Sequence, residues 1–180
     1  SVTDGEYTDS DTFNLTVNAV NDAPVIVDVE DDNVNEDTPY VYTLLDADDV
    51  DEDPLTFSAS VDGNATVGVD GTTLTLDPDL NYNGMIQVTV SVTDGEYTDS
   101  DTFNLTVNAV NDAPVADIGI TATTDEDNSV PIQLSGSDVD LDPLTYSIVS
   151  DVSNGATSID ENGIVTYTPS LNYNGDDSFT

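Results

Sequence analysis

The chain has 180 residues, of which 38 are Asp or Glu and none is Lys, Arg or His, so its formal charge is −38 and nothing within it neutralises that charge. Such a surface repels phosphate and anionic lipid, which excludes nucleic acid and the acidic membrane face as partners. The absence of Cys excludes disulfide and thiolate-metal staples, and no apolar run approaches the roughly 20 residues that cross a bilayer, so no membrane insertion is expected.

High net charge can mean disorder, but 37% of the residues are hydrophobic and many alternate with polar ones. In chain order, alternating or β-branched runs predict strands over 25–29, 41–45, 55–61, 72–76, 86–93 and 102–110. Between them Asp62-Gly63, Asp70-Gly71, Asn83-Gly84 and Asp94-Gly95 supply the positive φ that tight turns require. In the run 102–110, Phe103, Leu105, Val107 and Ala109 share one face, while Thr102, Asn104, Thr106 and Asn108 share the other. Period two makes one face core and one face wet. Phe103, Tyr82, Tyr97 and Tyr173 are read as core or edge packing. No segment carries a sustained helical period, and short strands at this spacing predict an all-β antiparallel sandwich.

The sequence from Ser1 to Val25 returns unchanged from Ser91 to Val115. A period of that length fits an array of whole small domains rather than a solenoid. One complete module is expected over 21–110 and a second over 111–180, lacking its last two strands. Residues 1–20 then carry the last two strands of a preceding repeat, or strands donated to a neighbouring copy. Thr180 aligns with Thr89 and Ser1 with Ser91, so tail and head fall one residue short of a continuous repeat. The chain reads as a window cut from a longer array, with targeting sequences elsewhere.

Acidic residues persist between the modules while the intervening surface drifts. Asp49, Asp51 and Asp53 alternate ahead of Pro54, as Asp138, Asp140 and Asp142 do ahead of Pro143. In an extended segment alternate side chains point the same way, so each trio would aim several carboxylates at one spot. A hard dication with roughly 6 to 8 oxygen ligands resolves that repulsion, and Ca²⁺ suits an irregular set of carboxylates and carbonyls better than Mg²⁺. The loop is not an EF-hand, since Pro54 and Pro143 stand where Gly is needed and Ser60 and Val149 where a bidentate Glu is needed. Catalysis is not expected, because carboxylates alone would have to perform it from turns rather than from a cleft that raises a pKa.

Glu in the first loop, then Asp-x-Asp, then an Asp ahead of a Gly, then a linker ending Asn-Asp-Ala-Pro resembles the cadherin repeat, and most of all the acidic cadherin-like tandem repeats of very large bacterial surface adhesins. The resemblance covers the whole chain and implies tandem seven-stranded Ig/cadherin-like β-sandwiches, secreted or on the cell surface, with Ca²⁺ between neighbours. It implies a middle junction made by Glu36, Asn108, Asn111, Asp112, Asp138 and Asp140, and an upper junction made by Asn18, Asn21, Asp22, Asp49, Asp51 and Asp94. Asp4 would serve the preceding copy's upper junction, and Glu126 takes the role of Glu36 in the second module. The chain departs from the family pattern where Asn18 and Asn108 replace a leading Asp, where Val20 and Val110 replace an Asn, and where Asp77-Pro78-Asp79 and Thr168-Pro169-Ser170 replace Asp-Arg-Glu.

The function so implied is a non-enzymatic stalk or filament whose partners are neighbouring repeats or identical copies, with a surface glycan or protein target met through other domains. Two alternatives stand beside it. One is head-to-tail assembly by strand donation. The other is calcium-dependent carbohydrate binding through loops at 64–67 or 151–158, although the chain has no Trp and only 7% aromatic residues for a stacking platform. The Asn-x-Thr triplets at Asn14, Asn64 and Asn104 are expected to carry no glycan.

Overall fold

The computed structural model describes residues 1–43 and 45–180; Leu44, part of the strand expected over 41–45, lies outside the described residues. The chain divides into two compact units, Ser1–Ala109 and Val110–Thr180. The described residues contain strands and no helix.

In the first unit β1 (Val2–Thr3) and β2 (Thr8–Asp9) form a short hairpin. There follow β3 (Val25–Ile26), β4 (Asp32–Asn35), β5 (Tyr40–Thr43), β6 (Ala47–Asp48), β7 (Thr56–Val61), β8 (Ala65–Asp70), β9 (Thr73–Pro78), β10 (Gly84–Thr93) and β11 (Thr98–Asn108). One layer is β5-β9-β8, extended by the β3-β6 pair, and the other is β4-β11-β10-β7. Leu45 N–H donates to Thr72 O and Val27 N–H to Asp46 O, both at 2.9 Å, which carries the pairing across the break between β5 and β6. Counting β3 with β4 and β5 with β6 as interrupted strands, this is the expected seven-stranded sandwich.

Two details depart from the expectation. β8, β4 and β6 lie outside the predicted runs, because Ala65–Asp70 mixes Gly68 into its alternation and the other two are too short to show a period. β4 runs parallel to β11, with Leu105 opposite Asp32 and Asn108 opposite Asn35. Carboxylates hold this crossing segment against β11. Asp99 Oδ2 accepts Ile26 N–H at 3.0 Å, Asp101 Oδ2 accepts Val29 N–H at 2.7 Å, and Asp31 Oδ1 accepts Asn104 N–H at 2.6 Å.

The core lies between the layers. Ile86, Val88, Val90 and Val92 of β10, Leu74 and Leu76 of β9, and Phe103, Leu105 and Val107 of β11 are buried, each set at the period of two that strands impose. Ala109, expected on that face, falls past the end of β11 and is exposed. Tyr82 packs against this core and Tyr97 lies toward solvent. All four turn glycines take positive φ. Gly84 is the most constrained: its φ is 143°, and a Cβ there would come within 2.8 Å of the Tyr82 hydroxyl, which itself donates to Met85 O at 3.0 Å.

The second unit contains β12 (Val115–Ala116), β13 (Val130–Gln133), β14 (Gly136–Ser137), β15 (Gly155–Ile159) and β16 (Ile164–Pro169). They pair as β13-β16-β15 and β12-β14, which repeats the β5-β9-β8 and β3-β6 layer of the first unit. Of its opposite layer only a beginning is present, where Thr180 N–H donates to Ser150 O at 2.9 Å.

Candidate metal centre

The Asp-x-Asp-x-Asp-Pro segments are not extended, and the reason they converge differs from the one alternation suggested. Asp49 Oδ1 accepts the N–H groups of Asp51 at 2.9 Å and Asp53 at 3.2 Å, so the first aspartate curls the chain around its own carboxylate. Asp138 does the same with Asp140 at 3.0 Å and Asp142 at 3.2 Å. Both turns place a residue without a favourable side chain in the left-handed region, Glu52 at φ 60° and Leu141 at φ 63°. That backbone costs on the order of 1 kcal/mol and holds only where neighbours over-determine it.

Each turn is tied to an Asn-Asp pair that precedes the first long-range strand pairing of its sandwich, Asn21-Asp22 ahead of β3 and Asn111-Asp112 ahead of β12. In the first, Asp51 Oδ2 accepts Asp22 N–H at 2.8 Å and Asp94 Oδ2 accepts Asn21 Nδ2 at 2.9 Å. Asn21, Asp22, Asp49, Asp51 and Asp94 therefore meet at one pole, and exposed Asp53 joins through its N–H. In the second unit Asp140 Oδ2 accepts Asp112 N–H at 2.7 Å, and Asn111 Nδ2 donates to Asp112 O at 2.9 Å, which gathers Asn111, Asp112, Asp138, Asp140 and Asp142.

Asp94 is preorganised as an anion. Its Oδ1 accepts Tyr97 N–H and Glu96 N–H, each at 2.7 Å, and these donors, Tyr97 first, hold its carboxyl below the ordinary 3.8. Asp4, in the identical turn, is lowered for the same reason by Tyr7 and Glu6, and among the described residues its hydrogen bonds stay within that turn. Asn18 is exposed.

At the other end of the first unit Glu36 is only 4% exposed. Its N–H donates to Asn108 O at 2.9 Å, and its Oε2 accepts Asn83 Nδ2 at 3.4 Å. Asn83 is the residue sequence reasoning passed over, having read Asn83-Gly84 as a turn and nothing more. The recurrence of Leu-Asn-Tyr-Asn-Gly with a Glu-Asp pair was the available signal. Asp37 Oδ1 accepts Asn81 N–H at 2.9 Å, and Asp127 Oδ1 accepts Asn172 N–H at 2.7 Å. Glu126 is exposed and accepts Asn128 Nδ2 through its carbonyl at 3.2 Å.

The chemistry of the first pole fits a hard cation. Asp49 Oδ2 is buried and has no hydrogen-bond partner among the described residues. A buried carboxylate oxygen without a donor is costly unless a positive charge faces it, and the chain has no Lys, Arg or His to provide one. Of the two segments considered as sugar-binding loops, 64–67 falls in β8 from Ala65 onward and the second half of 151–158 falls in β15, while Asp151 is engaged by Thr157 Oγ1 and Val152 N–H.

Residues 20–108 match the family model of the cadherin-like domain, and residues 111–180 match that of the bacterial Ig domain. The chain is a tandem of cadherin-like and Ig-like domains. Among solved structures, human protocadherin-24 EC1-2 is 23% identical with TM-score 0.46, the match covering 87% of this chain and 82% of that one. Drosophila N-cadherin EC1-4 is 18% identical with TM-score 0.46, covering 84% of this chain and 42% of that one. The endo-fucoidan hydrolase MfFcnA4 from glycoside hydrolase family 107 is 21% identical with TM-score 0.44; the match covers 87% of the cadherin-like and Ig-like tandem and spans 26% of the hydrolase. No curated protein matches the sequence. No helix among the described residues is long and apolar enough to cross a membrane.

Proposed function

We propose that this tandem is a non-enzymatic segment of an extracellular repeat stalk, stiffened by Ca²⁺ bound at the acidic poles of its modules. The observation that carries the reading is the buried, donor-free Asp49 Oδ2 inside a ring of carboxylates in a chain without a single basic side chain. Asn21, Asp22, Asp49, Asp51 and Asp94 would hold the ion at the first pole, and Asn111, Asp112, Asp138 and Asp140 at the second, with Asp53 and Asp142 shaping the turns. Glu36 with Asn108, and Glu126 one module later, offer the oxygens through which a bound ion reaches an adjoining repeat. Calcium supplies positive charge and a demand for many oxygen ligands; the protein supplies turns already folded around their first aspartate.

Without cation, like charges at the poles repel and modules swing; with it, neighbouring poles share an ion and align. Extracellular modules of this chemistry bind with Kd on the order of 10⁻⁴ to 10⁻³ M. Partners are adjoining repeats of the same kind. The test is thermal unfolding with CaCl₂ at about 5 mM, chosen above that affinity range, against MgCl₂ at equal ionic strength, with small-angle scattering alongside. Ca²⁺ should raise the midpoint and lengthen the particle where Mg²⁺ does neither. Equal effects of the two salts would leave charge screening as the explanation and remove the ligand assignment.

A further inference from the structure

A strand at the edge of a sheet presents unpaired N–H and C=O groups, and natural sheets blunt such edges with charge, Pro, bulges or shortness. Of the outer strands of the first unit, β3 is 2 residues long, β4 starts on Asp32, and β8 contains Gly68 and ends on Asp70. β7 (Thr56–Val61) has none of these devices. Its sequence Thr-Phe-Ser-Ala-Ser-Val carries neither charge nor Pro, in a chain with 38 acidic residues among 180. Among the described residues β7 pairs with β10 alone, and β10 carries no charge either.

Asp62 N–H donates to Gln87 O at 3.2 Å, which makes 62 and 87 a hydrogen-bonded pair. Bonded and non-bonded pairs alternate along an antiparallel ladder, so Thr56, Ser58 and Ser60 bond to Thr93, Ser91 and Thr89. The N–H and C=O groups of Phe57, Ala59 and Val61 therefore point away from the sheet. The side chains of these three are half-buried against the core, while Ser58 and Ser60 lie on the exposed outer face. That face stays uncharged across β11, because the acids of β11, Asp99 and Asp101, are turned to the N–H groups of Ile26 and Val29.

We propose that β7 is a docking edge for β7 of a second copy, the two strands pairing antiparallel about a two-fold axis at Ala59 and joining the 4-stranded sheets of both copies. Ala59 then faces its own counterpart and Phe57 faces Val61, so every backbone group that points away from one sheet meets a partner from the other. Phe57 with Val61 is an aromatic and β-branched pair, a combination that stabilises cross-strand neighbours. On the outer face Ser58 lies opposite Ser60. Charge selects this occupant and this edge. Each copy carries −38, so two copies approach only where acids are absent. In this register the flanking acids are staggered, with Asp62 opposite Thr56 of the second copy rather than opposite Asp53. The interface is one strand wide, well below the roughly 1,200 Å² of a stable complex. Dimers therefore form toward the millimolar end of concentration, and the two-fold closes the contact at two copies.

The chain has no Cys, so a single introduced thiol reports the register. Ser58 and Ser60 are exposed, and Ser58→Cys and Ser60→Cys should leave the circular dichroism unchanged. In the proposed pairing, 58 of one copy and 60 of the other form a non-hydrogen-bonded pair with Cα atoms about 4.5 Å apart, within disulfide range. Like positions, 58 with 58 or 60 with 60, stand about 8 Å apart and cannot be bridged. Full chains at about 1 mM are oxidised in NaCl near 1 M, where the Debye length is about 3 Å, with a chelator present so that no divalent ion bridges copies. A mixture of the two variants should give cross-linked dimers at least about tenfold faster than either variant alone. Ala59→Pro, added to both, should remove that excess. Pro is tolerated on an edge strand where the N–H faces solvent, so the monomer stays folded and only the bond to the second copy is lost. In the unaltered chain, amide exchange at Phe57, Ala59 and Val61 should slow between about 10 μM and 1 mM, while Ser58 and Ser60, already bonded to β10, stay constant. A mixture that cross-links no faster than the single variants overturns the proposal. So does an excess that survives Ala59→Pro, or exchange at the three amides that ignores concentration.

Discussion

Asp49→Asn separates a ligand from a merely structural acid, because the two roles predict opposite signs. The amide that replaces the carboxylate keeps a carbonyl oxygen to accept the N–H groups of Asp51 and Asp53, so the turn survives. It also puts, in place of the donor-free Oδ2, an NH₂ group that can donate to a neighbouring carboxylate. Without calcium the variant should therefore gain stability, by about 0.5–1 kcal/mol as one like charge leaves the cluster. With calcium the balance reverses. A site with Kd on the order of 10⁻⁴ M in about 5 mM CaCl₂ stabilises its unit by RT ln(1 + 50), about 2.3 kcal/mol, or roughly 10 °C or more in a domain of this size. If losing the charge weakens binding about thirtyfold, the increment falls to about 0.6 kcal/mol, or roughly 3 °C. Differential scanning calorimetry of both proteins, with and without calcium, gives all four midpoints. An undiminished calcium increment in Asp49→Asn would refute the assignment, and a loss of stability without calcium would refute the account of Oδ2 as an uncompensated charge.

Three further outcomes follow from other parts of the molecule. Phe103→Ala should cost about 3–5 kcal/mol in urea denaturation, while Phe13→Ala, in an identical sequence context, should stay within about 0.5 kcal/mol in dilute monomer; equal costs would mean residues 1–20 are packed in the single copy. Asp101→Ala removes the acceptor 2.7 Å from Val29 N–H and should cost about 1–3 kcal/mol by the same assay, with Asp101→Asn recovering most of it and failing to do so if charge rather than the hydrogen bond matters. On acidification the midpoint should rise at first, as exposed carboxylates lose charge and mutual repulsion falls. It should then drop below the ordinary 3.8, because Asp31, Asp94, Asp160 and Asp177 are held lower by the N–H groups of Asn104, Tyr97, Ile164 and Ser153 respectively. Groups with depressed folded values stabilise above their unfolded values and lose that contribution as pH passes through the folded ones. A midpoint that climbs without a break to about pH 2 would show that these staples carry no stability.

What could be read from the sequence and what could not divide along physical lines. β10 and β11 were legible because they are long, alternate cleanly and are flanked by Asp-Gly or Asn-Gly turns whose glycines take the positive φ their type requires. β4 was not, since Asp32–Asn35 carries one apolar residue and is placed by carboxylates on a strand some seventy positions away. The acidic poles were legible as residue types and misread as conformation. Alternation in Asp49-Val50-Asp51-Glu52-Asp53 suggested an extended arm, whereas side-chain acceptance of two N–H groups is a local competitor to strand geometry and wins ahead of a proline. Asn83 was hidden for a different reason: a residue that turns the chain and also donates to Glu36 shows only the first role in its dipeptide.

The identical segments 1–20 and 91–110 show how far local sequence decides structure. Both close the same Asp-Gly tip with the same hydrogen bonds. Only the second continues as a strand, since pairs of strands without a packed face are marginal in water and β11 has β4, β10 and the core against it. The acidic turns belong with the tip. Asp138 gathers its two N–H groups at 3.0 and 3.2 Å and Asp49 gathers its two at 2.9 and 3.2 Å, although the first of these turns stands in a unit with only the beginning of its second layer. An acidic turn closed by its own first carboxylate needs no complete sandwich beside it, and the same turn stands in both units although the strands around it differ.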